Sequence, residues 1–383
     1  MRAVTDGRLP LTHEVKHHLD LCLDCRACET ACPSGVQYGK LIEPFRIAMQ
    51  EQAEGAKTNA DWFHRWILFG LFPYPDRIRR ALIPARLAQT LRLDKLLLAT
   101  GLWKLLPTRL GRLATLLPPL ERDPGPLPQV LPAQGVRRAR VALFTGCVAD
   151  AMLRPTHWAT ARVLQANGCD VVIPRTQQCC GAIHFHAGSS EPARAMADAN
   201  VAALGAEDVD AVIVNVAGCG SMLKDYGHHW RDDRQAERAR FAAKTKDVNE
   251  FLAELGLIDP PGELRIKATY HDACHLVHAQ KVREQPRELL SRIPGLELVD
   301  LPESELCCGA AGTYNLTQPE MAERLSRRKL SNILSTGARV VATSNAGCLL
   351  QIAREARLQG EALKIVHPMD LLDLSYRCEQ LRF

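Results

Sequence analysis

Val141-Ala142-Leu143-Phe144, followed by Cys147, and Ile266-Lys267-Ala268-Thr269-Tyr270, followed by Cys274, are two short apolar runs that each lead into a cysteine. The pattern continues in step on both sides. Cys179-Cys180-Gly181 and Cys219 follow the first run, while Cys307-Cys308-Gly309 and Cys348 follow the second, at a constant offset of 127 to 129 residues. Self-similarity of this kind marks one structural unit used twice.

Each copy reads as β-α-β-α-β. Helical stretches from Pro155 to Gly168 and from Glu284 to about Ile293 lead to the runs Asp170–Ile173 and Leu296–Val299. Second helices, Pro192 to Gly205 and Pro319 to Gly337, start near proline and end on glycine. Third strands, Ala211–Val214 and Arg339–Ala342, precede Ala217-Gly218-Cys219 and Ala346-Gly347-Cys348. Strands alternating with helices make a parallel sheet, and in such sheets the loops after the strand carboxyl ends share one rim. All cysteines of both motifs fall in those loops, so four thiols per copy are expected to converge: Cys147, Cys179, Cys180 and Cys219, then Cys274, Cys307, Cys308 and Cys348. Converging thiols read as a metal centre. Zinc and iron–sulfur both take thiolates, but adjacent Cys-Cys is awkward for tetrahedral zinc, which favours iron–sulfur.

A third group stands near the N-terminus, where Cys22-Leu23-Asp24-Cys25-Arg26-Ala27-Cys28-Glu29-Thr30-Ala31-Cys32-Pro33 fits C-x2-C-x2-C-x3-C-P. That is the bacterial ferredoxin run for a [4Fe-4S] cluster, whose fourth cysteine ligates the other cluster of a two-cluster domain. No second run occurs in the 383 residues, which leaves Cys22, Cys25 and Cys28 short of a ligand and Cys32 without a cluster of its own. The expectation is that an upstream half is absent and that the frame continues before Met1.

Composition narrows the class further. Fourteen cysteines in 383 residues, with no apolar signal segment, argue against a secreted disulfide scaffold and for reduced thiols in the cytoplasm. The apolar run Trp66–Phe72 is far too short to span a bilayer. Net charge is +5, yet residues 61–140 alone hold 14 Lys/Arg against 5 Asp/Glu. This Leu-, Arg- and Pro-rich stretch reads as short amphipathic helices interrupted at Pro73, Pro75, Pro84, Pro107, Pro118 and Pro119. Its first reading is helices packed on their neighbours with Arg facing water; the second is a surface for an anionic membrane or an acidic partner. Sparse aromatics and scattered basic residues argue against nucleic acid.

The fold class is therefore α/β: a ferredoxin-like helical [4Fe-4S] half-domain (1–50), a basic helical linker (51–138), and two tandem β-α-β-α-β domains (139–262 and 263–383). The segments His18–Tyr38, Thr145–Cys147, Cys179–Ala182, Asn215–Cys219, His271–Leu276 and Cys307–Asn315 resemble the iron–sulfur subunit of glycolate oxidase. The paired Cys-Cys-Gly (CCG) segments also resemble the cysteine-rich domains of heterodisulfide reductase and lactate-utilisation proteins. The resemblance implies a non-flavin oxidoreductase subunit with [4Fe-4S] clusters. It would take electrons from FAD-containing partner subunits that convert glycolate to glyoxylate, and pass them toward a quinone-type acceptor. It also implies a cytoplasmic protein with a peripheral contact on the inner face of the membrane. The absence of G-x-G-x-x-G agrees with no flavin of its own. Alternatives are a thiol-disulfide reductase acting at the CCG centres, an L-lactate-utilisation subunit, and a zinc-bound or metal-free scaffold. Against the reductase, the C-x-x-C that closes each heterodisulfide-type copy is broken here at Val216 and Asn345.

Among the histidines, His184 and His186 are expected to hydrogen-bond backbone near the first group, with a proton relay as the second reading. His271 and His275, flanking Cys274, are candidates for tuning a cluster through hydrogen bonds to sulfur. Cys169 and Cys378 read as structural thiols. No Ser-His-Asp set, paired carboxylates or phosphate loop supports hydrolysis or phosphoryl transfer.

Overall fold

The computed structural model describes residues 1–54, 62–120 and 123–382. Among the described residues, nine strands form two sheets. The first contains β1 (Val130–Leu131), β2 (Ala139–Phe144), β3 (Cys169–Val172), β4 (Ala211–Val214) and β5 (Thr245–Asp247), in the order β1-β3-β2-β4-β5. The second contains β6 (Ile266–Tyr270), β7 (Leu296–Val299), β8 (Val340–Ala342) and β9 (Lys364–Val366), in the order β7-β6-β8-β9. All pairings are parallel except β1 with β3. Residue pairs such as Val141↔Ala211 and Ala268↔Val340 show the two copies holding the same register.

The six strands read from the repeat are present, but each copy carries a fourth parallel strand beyond the β-α-β-α-β expected. β5 and β9 are three residues long, and Thr245-Lys246-Asp247 is polar, so neither has a periodic signal. They exist because β4 and β8 offer an unpaired edge whose backbone groups need partners. β1 similarly extends the first sheet back into the stretch assigned to the linker.

One core joins the two copies. Val141, Leu143 and Val171 of the first sheet share it with Ala268, Tyr270 and Val340 of the second. The helix Arg154–Ala166 packs on the C-terminal helix Pro368–Tyr376, and Arg162 clamps Asp373 with two hydrogen bonds of 2.7 and 2.6 Å.

In the linker, helices Pro75–Ala81, Ile83–Thr90, Leu93–Thr100 and Thr108–Leu116 form as the amphipathic pattern predicts. Pro75 and Pro84, however, lie in the first turn of their helices and begin them instead of interrupting them. Residues 55–61 of the assigned linker lie outside the described residues. The helices are strapped to both domains through Arg79 to Asp150 at 2.6 Å, Arg112 to the Pro319 carbonyl at 2.6 Å, and Arg354 to the Thr115 hydroxyl at 2.8 Å. The packing matches the first reading of this stretch, but the division of polarity does not. Arg112 is buried, while Leu87, Leu91 and Leu105 are 62%, 60% and 81% exposed. Among the described residues no helix is long and apolar enough to cross a membrane.

Candidate metal centre

In the first copy the chain leaves β2 into Cys147, leaves β3 into Cys179-Cys180, and leaves β4 into Cys219 in the helix Ala217–Lys224. The Sγ atoms of Cys147 and Cys179 are 3.2 Å apart. Cys180 lies in hydrogen-bond contact with both Cys179 and Cys219, so the four thiols form one continuous set. Gly181 makes the approach possible. It sits at φ +86°, and a Cβ there would stand 3.0 Å from the Ala193 carbonyl oxygen of the packed helix. Neutral side chains hold the loop: Asn200 donates to the Cys179 carbonyl at 2.9 Å and Tyr226 to that of Cys180 at 2.8 Å.

Protons are shared unevenly in this buried set. Cys179 is pulled well below its ordinary value by hydrogen bonds from Cys147 and Cys180, which are themselves pushed well above theirs. A buried thiol that gives its hydrogen bond to a neighbouring sulfur holds its proton; the sulfur that receives two does not.

The second copy repeats the arrangement with different support. Cys274, Cys307, Cys308 and Cys348 are linked in the same way, and Gly309 at φ +87° donates its N–H to Cys307 Sγ at 3.4 Å. Around them stand groups the first copy lacks. Lys329 is fully buried, donates to the carbonyls of Glu303 and Ser304, and places its charge near Cys308, Cys348 and Cys307. Asn345 donates to Cys348 Sγ at 3.4 Å. His275 Nδ1 lies 3.7 Å from Cys274 Sγ, as expected of a sulfur-tuning residue. His271 does not face Cys274, its neighbour in sequence; its ring lies beside Cys308 and Cys348. Burial lowers the pKa of His275 to about 4 and that of His271 to about 3, so both rings are neutral.

In the N-terminal segment burial, with the nearby Cys22 and Cys28 adding to it, drives the pKa of Cys25 to about 11, and burial together with Cys22 raises that of Cys28. Cys25 also feels Cys274, which brings this group against the second copy. Tyr314 fixes the contact by donating to the Leu21 carbonyl at 3.0 Å. Asp24 and Arg26 both adopt left-handed backbone, at φ 52° and 59°, strain typical of a loop shaped for a ligand. Cys32 faces elsewhere: the backbone N–H groups of Val36, Ser34 and Gly35 point at it and lower its pKa.

Cys22 and all eight thiols of the two copies line one cavity of about 1200 Å³. At its edge a charged cluster escaped the sequence reading, because its members come from four separate elements. His186 lies 3.1 Å from Glu43 and 3.7 Å from Asp24, while Arg26 bridges Glu43 at 3.1 Å and Asp225 at 3.0 Å. Among the described residues, the backbone hydrogen bonds expected of His184 and His186 are not made: the His184 ring nitrogens have no hydrogen-bond partner there and the ring stacks on Phe69 at 4.5 Å, while His186 serves the carboxylates.

Sets of four sulfurs, largely buried in the two copies and met by backbone N–H groups, fit thiolate-ligated iron. Two tandem parallel-sheet domains that each gather four cysteines at one rim, beside a ferredoxin-type cysteine run, define an iron–sulfur electron-transfer protein. Comparison with known proteins narrows this class. The cysteine-rich domain family matches residues 141–224 and 268–353, and the family described as the linker region of the glycolate oxidase iron–sulfur subunit matches residues 60–117. The chain is 38% identical over 380 residues to a probable glycolate oxidase iron–sulfur subunit of Bacillus subtilis, covering 97% of this chain and 85% of that one. It is 32% identical to the glycolate oxidase iron–sulfur subunit of Escherichia coli, covering 93% and 83%. Lactate utilization protein A of an Exiguobacterium species is 30% identical over 236 residues, 61% of this chain and 96% of that one. The chain belongs to the family of glycolate oxidase iron–sulfur subunits, the non-flavin, electron-transferring part of an oxidoreductase.

Proposed function

We propose that this subunit takes electrons from an FAD-containing partner that oxidises glycolate to glyoxylate, and passes them through [4Fe-4S] centres to a quinone-type acceptor. The proposed ligands are Cys22, Cys25, Cys28 and Cys32; Cys147, Cys179, Cys180 and Cys219; and Cys274, Cys307, Cys308 and Cys348. Bound clusters supply one-electron storage. The chain's own part is to hold the thiols together, exclude water and set the charge around each group. The proposed units are 1–50, 51–138, 139–262 and 263–383, with β1 of the linker stretch added to the first sheet.

One observation carries the reading: thiols from three groups far apart in sequence line a single cavity, as a relay of electron stations requires. The basic linker supports a peripheral membrane site. Ile83, Leu87, Leu91 and Leu105 are exposed beside exposed Arg80, Arg92, Lys95 and Lys104, the composition that suits an anionic leaflet.

The test is iron and acid-labile sulfide analysis of anaerobically purified chain, followed by electron paramagnetic resonance after mixing with its flavoprotein partners and glycolate. Signals of reduced clusters that bleach on adding a quinone are expected. Stoichiometric zinc without iron would sink the proposal. Reduction by L-lactate and not glycolate would move the chain to the lactate branch. Disulfide reduction by the chain with an artificial reductant and no flavoprotein would assign it to the reductases.

A further inference from the structure

The two thiol groups match in the order and mutual contacts of their cysteines, but one residue that differs beside them stands three places before the first cysteine. That residue is Phe144 before Cys147 and His271 before Cys274, each at the carboxyl end of its central strand. Phe144 presents only carbon to its group. His271 is 0% exposed, and its Nδ1 lies 3.0 Å from the Ser304 carbonyl oxygen. A carbonyl oxygen has no proton to give, so Nδ1 carries the hydrogen and Nε2 is left with a lone pair. The tautomer is well anchored, because the same carbonyl also receives the N–H of Asp272 at 3.2 Å and Lys329 Nζ at 3.2 Å.

Nε2 has no hydrogen-bond partner among the described residues. A His271 ring nitrogen and the sulfurs of Cys308 and Cys348 lie within 4.8 Å of one another. The two sulfurs and the Nε2 lone pair are three buried donor atoms gathered around one space, the kind of set a metal ion takes. The Nδ1–H to carbonyl bond is the usual orienting contact of a metal-binding histidine. Asn345 occupies the position of the missing fifth cysteine of the heterodisulfide type, but it turns its N–H toward Cys348 Sγ and so donates to sulfur instead of binding metal.

We propose that His271 Nε2 is an iron ligand of the second thiol group, alongside Cys308 and Cys348, with no counterpart at the equivalent place in the first group, where Phe144 stands. This rests on the reading of the thiol groups as iron–sulfur sites. A neutral imidazole added to the four thiolates brings no further negative charge, whereas a fifth thiolate at that place would make the centre harder to reduce.

The experiment uses the full chain, loaded with iron and labelled with 15N-histidine, reduced and studied by pulsed electron paramagnetic resonance. Iron and sulfide are assayed on the same samples. A strong 15N coupling of a directly bound nitrogen is expected, lost in His271→Phe, which copies the first group, and retained in His275→Ala. His271→Cys should restore a ligand and lower the midpoint potential of that centre relative to the parent. Only weak, hydrogen-bond-sized coupling in the iron-loaded parent would overturn the proposal, as would strong coupling that survives in loaded His271→Phe. Should that variant fail to load, the parent coupling together with the His275→Ala control decides. Absence of iron and sulfide from the second group in the parent would instead overturn the underlying iron–sulfur reading.

Discussion

Asn345 donates its side-chain N–H to Cys348 Sγ at 3.4 Å, and its Oδ1 accepts the Gly218 backbone N–H at 3.3 Å, next to Cys219. One amide therefore ties a sulfur of the second group to the backbone of the first. An N–H directed at sulfur stabilises the more negative, reduced state of a thiolate-bound centre. Asn345→Ala is expected to lower the midpoint potential of the second centre by ~30–60 mV, since 59 mV is a tenfold change for one electron. Redox titration followed by electron paramagnetic resonance reads it, and an unchanged potential would show that the contact is only architectural.

Lys329 and Asn200 sit at equivalent places, because the helices that carry them meet Gly309 and Gly181 at Ala322 and Ala193. Both are fully buried, and one is a cation where the other is neutral. The second centre should thus be the more easily reduced of the two. Lys329→Met is expected to lower its potential and leave that of the first centre within error; equal shifts in both would contradict a local effect.

Thiol reactivity should separate Cys32 from Cys25 in metal-free chain. Backbone N–H groups lower the pKa of Cys32, whereas burial raises that of Cys25 to about 11. Since the thiolate is the nucleophile, iodoacetamide at neutral pH should modify Cys32 faster by at least about tenfold, as mapped by peptide mass spectrometry. Comparable rates would mean that the two thiols share one environment.

Asp247 caps the helix Val248–Leu255, and burial raises its pKa to about 6 although Asn249 donates to it. Between about pH 4 and 6 the folded chain keeps a proton that the unfolded chain has released. Stability from this group is complete below pH 4 and falls as pH rises through 6, by about 3 kcal/mol for a shift of roughly two units. Asp247→Asn keeps a capping side chain and removes the titration. Denaturant unfolding across this range should show the parent losing stability relative to the variant as pH rises. Parallel curves would rule the effect out.

Membrane contact through the linker predicts co-sedimentation with vesicles rich in anionic lipid and release by salt. Leu87→Glu with Leu91→Glu, both on the exposed face, should reduce binding about tenfold or more, given ~0.8 kcal/mol per buried methylene. Binding equal to that of the parent would place the membrane site elsewhere, or nowhere on this chain.

Much of the site was legible in the sequence. Cys147, Cys179, Cys180 and Cys219 could be grouped before any coordinates, because a parallel sheet obliges the loops after its strands to share a rim and the repeat supplied a second instance. The short strands β5 and β9 were not legible, since three residues that pair only with an existing edge leave no periodic trace. The carboxylate and histidine cluster around His186 was equally hidden, with Asp24, Glu43, His186 and Asp225 spread over 202 positions.

The sequence by itself determined the two copies, the three cysteine groups and the family, because spacing and repetition are properties of the linear chain. The tertiary structure alone decided what surrounds each sulfur. His271 adjoins Cys274 in sequence but faces Cys308 and Cys348, Lys329 reaches Cys308 from a helix beyond it, and Asn345 spans both groups. These contacts depend on how strands and helices pack at the rim, and it is these contacts that set the charge and ligands of otherwise matching sites.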